Sequence, residues 1–315
     1  MDLRITDKQC IANDIFAFDL ESAQHGVDLG RHEPGAHILV TTPQGHQRSY
    51  SLCGHPADGK RWRIAVKRDP LGRGGSLDMC DNLQPGDTLK ANAPQNFFPL
   101  HTQAPKFIFI AGGIGITPIF SMVQALQASG HAPFKLYYCS KDPASTAFHG
   151  ALTSDPLAVH VQMHHDHGDL SQALDLWPIL ETPTSAHIYV CGPAGLLESV
   201  LDMTGHWPAE QVHFESFKGT QVSAQSQDQN FKVRINSSAS LIEVAANQSL
   251  LQALRAHGLE VPSSCESGTC GACKTPYAAG TPIHRDHVLL EDEKTRFIMP
   301  CVSRGTADEI LTLDL

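Results

Sequence analysis

Cys265, Cys270 and Cys273 stand in the run Ser-Cys-Glu-Ser-Gly-Thr-Cys-Gly-Ala-Cys-Lys, and Cys301 follows in Met-Pro-Cys-Val-Ser-Arg. Three thiols spaced C-x4-C-x2-C with a distant fourth form the plant-type pattern for thiolates around a [2Fe–2S] core. Ser267, Gly268, Thr269, Gly271 and Ala272, between the first three, are small enough for the backbone to bend tightly around such a core. Amide N–H groups turned inward would offset the anionic sulfur charge. Zinc and disulfides are the competing readings. Structural zinc sites pair two short ligand knuckles, and no second knuckle surrounds Cys301. Disulfide frameworks belong to small secreted domains. The spacing therefore favours the cluster, which handles electrons one at a time.

At 315 residues the chain is expected to hold two or three domains. A hydrophobic content of 41% is ample for packed cores. No apolar run approaches the ~20 residues that a membrane helix needs, and the N-terminal run Met-Asp-Leu-Arg-Ile-Thr-Asp-Lys has no apolar signal region. The expectation is a soluble, cytoplasmic protein. A net charge of −10 argues against nucleic acid as a partner. The other five cysteines (Cys10, Cys53, Cys80, Cys139, Cys191) lie among apolar neighbours and read mostly as small buried hydrophobes in a reducing compartment.

The first hundred residues read as short strands broken by Gly, Pro and Asp: Asp14–Leu20, His37–Thr41, Ser49–Leu52, Arg61–Val66 and Thr88–Ala91. Such spacing predicts a small antiparallel barrel. After Ala104-Pro105 the pattern changes: strand Phe107–Ala111, a glycine turn, helix Pro118–Ala128, strand Phe134–Cys139, and later strand Ala186–Val190 before Cys191-Gly192-Pro193 and another helix. Strands alternating with helices predict a doubly wound parallel sheet. Lys218–Asn230 is polar and aperiodic, as a linker is. Beyond it, Phe231–Asn236 and Leu241–Val244 predict a hairpin, and Ser249–His257, with Gly258 just past its end, a short capped helix. The domain boundaries on this reading are 1–103, 104–225 and 229–315.

In the middle region Gly112, Gly113 and Gly115 lie between a strand and a helix that begins near Pro118. Glycines there allow positive φ and close approach of a phosphate to the helix N-terminus. On glycines alone a plain strand–helix turn explains them equally well. Cys191, Gly192 and Pro193 form a second strand-end turn, and two such turns would flank one crevice. A redox cluster downstream makes a nicotinamide donor the economical ligand. Only Lys141, beside Asp142, offers a cation after the second strand, which favours NADH over NADPH. NADH yields two electrons together and a [2Fe–2S] cluster accepts one, so a flavin is needed between them. Arg48, Arg73 and Ser76, with the glycines of Gly72–Ser76, offer a phosphate grip; Tyr50 would pack on the isoalloxazine and Ser51 hydrogen-bond its edge. Each residue is commonplace singly.

The chain resembles the phthalate dioxygenase reductase family, within the ferredoxin–NADP reductase superfamily. The likeness rests on Arg48-Ser-Tyr-Ser-Leu, Ala65-Val-Lys-Arg, Gly72-Arg-Gly-Gly-Ser, Ala111-Gly-Gly-Ile-Gly-Ile-Thr-Pro, Cys191-Gly-Pro, Met203-Thr-Gly-His-Trp-Pro, His213-Phe-Glu-Ser-Phe and Pro262-Ser-Ser-Cys-Glu-Ser-Gly-Thr-Cys. It implies an antiparallel β-barrel flavin domain, an α/β doubly wound nicotinamide domain and a β-grasp ferredoxin-like domain. It also implies FMN, NADH, and a Rieske-type aromatic-ring dioxygenase as acceptor, with an O- or N-demethylating Rieske monooxygenase as the alternative. By motif, FMN would contact Arg48, Ser49, Tyr50, Ser51, Ala65, Val66, Lys67, Arg73, Gly74, Gly75, Ser76 and Thr117. Phe217 would stand at the flavin face that nicotinamide must reach. Phe217, Thr117 and Ser51 are thus the residues closest to the chemistry.

The run Met163-His-His-Asp-His167 invites a metal, but successive side chains on a strand alternate faces, and the resemblance gives the segment no metal role. No G-x-S-x-G elbow of a hydrolase occurs. Glu266 and Asp286 are acidic residues near the cluster loop in sequence and read as a solvated face, with docking as the less favoured role.

Overall fold

The computed structural model describes residues 1–72, 74–217, 228–238, 240–263, 266, 268, 271–286 and 288–315. The chain divides into two compact units, Met1–Glu215 and Ser216–Leu315. No described helix is long and apolar enough to cross a membrane.

The first unit begins with strands β1 (Asp2–Ala12), β2 (Ile15–Ser22), β3 (His37–Thr41), β4 (Gln47–Ser51), β5 (Trp62–Lys67) and β6 (Thr88–Ala91). They form one antiparallel sheet in the order β4-β3-β6-β1-β2-β5. The two edges meet where Leu52 bridges Ile64 and the Cys53 amide donates to the Arg63 carbonyl (2.8 Å), closing a barrel. Alternation drives the fold: Leu3, Ile5, Phe18, Leu20, Ile38, Val40, Ile64 and Val66 point inward around buried Trp62. β1 is absent from the strands expected above. Its register shifts between Ile5 and Asp7 and again between Cys10 and Ala12, and these bulges break the apolar alternation that marks a strand. A short helix, α1 (Gly75–Leu77), runs into a π-helical turn, Asp78–Asn82.

The same unit continues with β7 (Lys106–Gly112), α2 (Ile116–Ser129), β8 (Phe134–Ser140), α3 (His149–Leu152), β9 (Val161–His165), α4 (Trp177–Leu180), β10 (Ala186–Cys191), α5 (Ala194–Met203) and β11 (Val212–Glu215). All five strands are parallel, in the order β11-β10-β7-β8-β9. The chain starts at the centre, winds outward through β8 and β9, then returns to the other side of β7. The topological switch therefore lies between β7 and β10, where open sheets of this kind bind ligands at the strands' carboxyl ends. Barrel and sheet share a core: Ile15, Cys53 and Ala65 pack in one cluster with Phe107, Phe109, Ile116 and Tyr189. The Gln124 amide also donates to the Cys53 carbonyl (3.1 Å). On the sheet face towards that core, the rings of His101, His187 and His213 stack in series, and His187 Nδ1 and His213 Nε2 share a proton across 2.9 Å.

The second unit comprises β12 (Phe231–Ile235), β13 (Leu241–Val244), α6 (Leu250–Ala256), β14 (Thr275–Ala279), β15 (Pro282–Ile283), β16 (Phe297–Ile298), β17 (Arg304–Gly305) and β18 (Ile310–Leu313). Its main sheet runs β13-β12-β18-β14-β16, with β12 and β18 parallel at the middle and α6 packed across it, a β-grasp arrangement. The expected hairpin and capped helix are both present. Ser249 and Gln252 form a reciprocal capping box, the arrangement that satisfies two helix-start amides at once. The backbone reverses at Gly258 with φ +76°, as helix ends with a left-handed glycine do. Most of the expected linker, 218–227, lies outside the described residues. Its last three residues are hydrogen-bonded to the second unit: Asp228 pairs with Arg285 (3.1 Å), the Gln229 carbonyl accepts from Arg304 (3.2 Å), and the Asn230 side chain accepts from the Ala246 amide (2.9 Å).

Candidate functional site

The flavin residues expected from sequence sit on the two lips of the barrel seam. β4 carries Arg48, Ser49, Tyr50 and Ser51; β5 carries Ala65, Val66 and Lys67. Strand geometry divides the β4 set, with Arg48 and Tyr50 on one face and Ser49 and Ser51 on the other. Beside β4, the Gly74–Ser76 turn closes on Arg48. A side-chain carbon on Gly75 would fall 2.5 Å from the Arg48 Nε and 2.9 Å from its Cζ, so any larger residue there would push the guanidinium off this helix start. Asp78, buried, accepts from the Gln44 amide (2.9 Å) and the Asn82 side chain (2.7 Å), which pins the turn against the hairpin before β4. Burial opposes its charge, but hydrogen bonds from Thr42, Asn82 and Gln44, with His46 nearby, hold the carboxyl below the usual range. The Ser76 hydroxyl accepts from the Asp69 amide (3.1 Å). Arg73 lies outside the described residues.

These features fit FMN. A guanidinium held over a glycine turn, with Lys67 exposed on the facing strand, suits a phosphate. The Ser49 hydroxyl is buried with no protein partner, as a ligand-facing group would be. Burial pushes the Tyr50 phenol up, so it remains neutral.

The two nicotinamide turns are brought together more tightly than sequence reasoning anticipates. β7 and β10 are adjacent and pair Ala111 with Cys191. A side-chain carbon on Gly115 would lie 2.3 Å from the Cys191 carbonyl oxygen, and one on Gly112 2.6 Å from the Pro193 ring. These glycines therefore serve turn-on-turn packing. Gly113, at φ +53° with nothing within 4 Å, is the open one. A helical turn at Gly113–Gly115 leads into α2, whose first turn includes Thr117 and Pro118. The Thr117 hydroxyl donates to the Ile114 carbonyl (3.1 Å) and is buried. β5 touches this helical turn, so the flavin lip and the nucleotide crevice adjoin within the first unit. Phe217 is the second residue of the other unit, and its ring is exposed.

Two residues missed by sequence reasoning support the crevice. Tyr138, on β8, donates to the Gly113 carbonyl (3.0 Å) and accepts from the Ala147 amide (3.2 Å); its only sequence signal is an aromatic on an alternating strand. Glu215 ends β11 opposite Cys191 and is buried. Burial first, then Glu215, pushes the Cys191 thiol far up, so it stays protonated. At the end of β8 the Lys141 stem runs where a side-chain carbon on Gly168 would lie 3.5 Å from it, while Asp142 is occupied in capping the turn Pro143–Ser145 (2.8 Å). Two histidines of the run make local bonds: His164 to the Gln172 carbonyl (2.6 Å) and His165 to the Ser140 hydroxyl (3.0 Å).

Of the four cysteines expected to hold the cluster, Cys273 and Cys301 are described; Cys265 and Cys270 lie outside the described residues. Cys273 and Cys301 are both buried in the second unit's core, and neither is in a disulfide. The Leu251 amide of α6 donates to the Pro300 carbonyl (2.9 Å), fixing the arm before Cys301, and the Thr275 hydroxyl donates to the Cys273 carbonyl (2.9 Å). At Gly268 (φ +74°) a side-chain carbon would fall 2.7 Å from Val302, so Gly268 packs directly on the residue after Cys301. Buried cysteines outside any disulfide, on two arms that meet at a glycine, fit a [2Fe–2S] core. Asp286 corrects the expected solvated face. Its side chain is fully enclosed, accepting from the Leu289 amide (2.9 Å) and the Ser303 hydroxyl (3.3 Å).

Residues 233–306 match the family of 2Fe-2S iron-sulfur cluster binding domains. The chain is 48% identical over 314 residues to the phthalate dioxygenase reductase of Burkholderia cepacia, covering 99% of this chain and 97% of that one. It is 37% identical to the vanillate O-demethylase oxidoreductase of Pseudomonas putida over the full length of both. Among solved structures it superposes on phthalate dioxygenase reductase, described as a modular structure for electron transfer from pyridine nucleotides to [2Fe-2S], with a TM-score of 0.78, 47% identity and coverage of 100% and 98%. A seamed barrel and a switch-point crevice, on a chain that carries a 2Fe-2S cluster binding domain, together define a modular iron–sulfur oxidoreductase. At this identity and coverage the grouping is narrower still, and the chain belongs to the phthalate dioxygenase reductase family.

Proposed function

We propose that the chain carries electrons from NADH through FMN and a [2Fe–2S] cluster to the terminal component of a Rieske-type aromatic-ring dioxygenase, in the cytoplasm and without nucleic acid or membrane as a partner. FMN, when bound, takes the two electrons of NADH together and releases them singly, in the portions the cluster accepts. The observation that carries the reading is the junction of the barrel seam with the switch-point crevice, on a chain that also bears the four-cysteine pattern. In this assignment residues 1–103 hold FMN, 104–225 hold the nicotinamide nucleotide, and 229–315 hold the cluster.

Arg48, Lys67 and Arg73, with the amides of Gly74, Gly75 and Ser76, neutralise the flavin phosphate. Ser49, Tyr50, Ser51, Ala65 and Val66 orient the ring. Gly112, Gly113 and Gly115 with Thr117 and Pro118 form one wall of the nucleotide crevice, and Cys191, Gly192 and Pro193 the other. The protonated Cys191 thiol adds no charge there. Phe217 governs nicotinamide access. Cys265, Cys270, Cys273 and Cys301 ligate iron.

An O- or N-demethylating Rieske oxygenase is the alternative acceptor, favoured by the full-length likeness to the vanillate O-demethylase oxidoreductase. Turnover reconstituted with candidate oxygenases separates the two. The core proposal is tested by the visible spectrum before and after anaerobic NADH. Cys270→Ser should abolish reduction of a one-electron protein acceptor while NADH still bleaches the flavin. Full acceptor activity in that variant would make the proposed relay order wrong.

A further inference from the structure

The second unit contains a polar triangle with no part in the assignments above. Arg255, in the last turn of α6, donates one guanidinium N–H to Glu266 Oε1 (2.7 Å) and another to the Ser263 hydroxyl, and that hydroxyl donates to the same carboxylate oxygen (3.3 Å). Ser263 and Glu266 bracket Cys265, two residues before it and one after. Glu266 has φ +50°, a left-handed conformation that a side chain of its kind rarely adopts. The bonds that the Glu266 side chain makes offset the cost of that backbone conformation. As an isolated surface pair, Arg255 and Glu266 would contribute little. The pair matters because it joins the chain on both sides of a ligand. A planar guanidinium can hold a hydroxyl and a carboxylate at once, whereas an ammonium is a point charge without that fork.

We propose that Arg255 is a positioning residue for the iron–sulfur centre: by gripping Ser263 and Glu266 it ties α6 to the two residues that bracket Cys265 in sequence and sets how firmly the cluster is held. The inference rests on the cluster assignment above.

The test uses full-length holoenzyme. Iron and sulfide content of the wild type is measured first, and an iron-free wild type overturns the cluster reading and this inference together. With the cluster present, R255K should lose iron to a ferrous chelator about tenfold faster, the scale typical of lost outer-shell support, and should show altered g values when reduced. E266Q, which keeps an acceptor for Arg255, should stay close to wild type. E266G discriminates between roles. It relieves the left-handed backbone, so a merely structural Glu266 predicts equal or slower iron loss, and the clamp predicts faster loss. NADH should bleach the flavin normally in every variant. Wild-type iron loss and g values in both R255K and E266G would overturn the proposal.

Discussion

Gly115→Ala perturbs the crevice at its tightest point. The added methyl would lie 2.3 Å from the Cys191 carbonyl oxygen, 2.5 Å from its carbon and 2.7 Å from the Gly192 nitrogen. All three are backbone atoms, so no side chain can swing aside. Reaching an ordinary separation of about 3.5 Å requires the two turns to part by roughly 1 Å. Overpacking of this kind costs about 1–3 kcal/mol, and the rigid neighbours place it at the upper end. For a unit of this size each kcal/mol lowers Tm by roughly 2–4 °C, so a fall of roughly 6–12 °C is expected. A displacement of that size at a positioning wall costs about 10²-fold in rate, read by stopped-flow as flavin bleaching by NADH. Two neighbours serve as controls. Gly113→Ala meets no atom within 4 Å and suffers only from its φ of +53°. That backbone penalty is about 1–2 kcal/mol. Gly195→Ala, open within α5, should stabilise by roughly 0.4–1 kcal/mol. A Gly115→Ala protein that melts and reacts like wild type, or a reversed order of the three, would refute the packing argument.

Asp78→Ala strands the Gln44 amide and the Asn82 side chain. It should destabilise the first unit by about 1–3 kcal/mol; urea titration checks this, together with weakened FMN retention. Burial, then His187 and His101, push the His213 imidazole down from 6.5 to about 4. The unfolded chain therefore takes up this proton in a range where the fold resists it, and stability should fall as pH drops from about 6.5 to about 4. Because His213 is only partly buried, the loss is on the order of 1–2 kcal/mol. His213→Gln should flatten that part of the stability–pH curve, and an unchanged slope would remove His213 as its source. Phe217→Ala should alter nicotinamide access or the preference between NADH and NADPH; unchanged kinetics with both would remove Phe217 from the site.

Much of this organisation was legible because local chemistry and tertiary demand coincide. The cluster pattern lies within a few residues, the hairpin Phe231–Val244 alternates cleanly, and α6 carries its own caps. What escaped depends on distant partners. β1 hides behind its bulges, and β9 is an edge strand whose histidines mask its period. The reason Gly115 must be glycine is the Cys191 carbonyl, far away along the chain, which no local pattern reveals. Asp286 reads as a surface acid until Ser303 and the Leu289 amide are seen to enclose it.

The enclosure of the Asp228 side chain has a practical corollary for dissecting the molecule. The matched 2Fe-2S domain starts at residue 233, yet the carboxylate facing Arg285 and the nearly inaccessible Arg304 stands five positions earlier. A fragment cut at the matched boundary would leave two guanidinium groups without their counter-ion, one of them wholly enclosed, a defect that costs several kcal/mol in comparable settings. Excised as an independent electron carrier, the iron–sulfur module should start no later than Asp228.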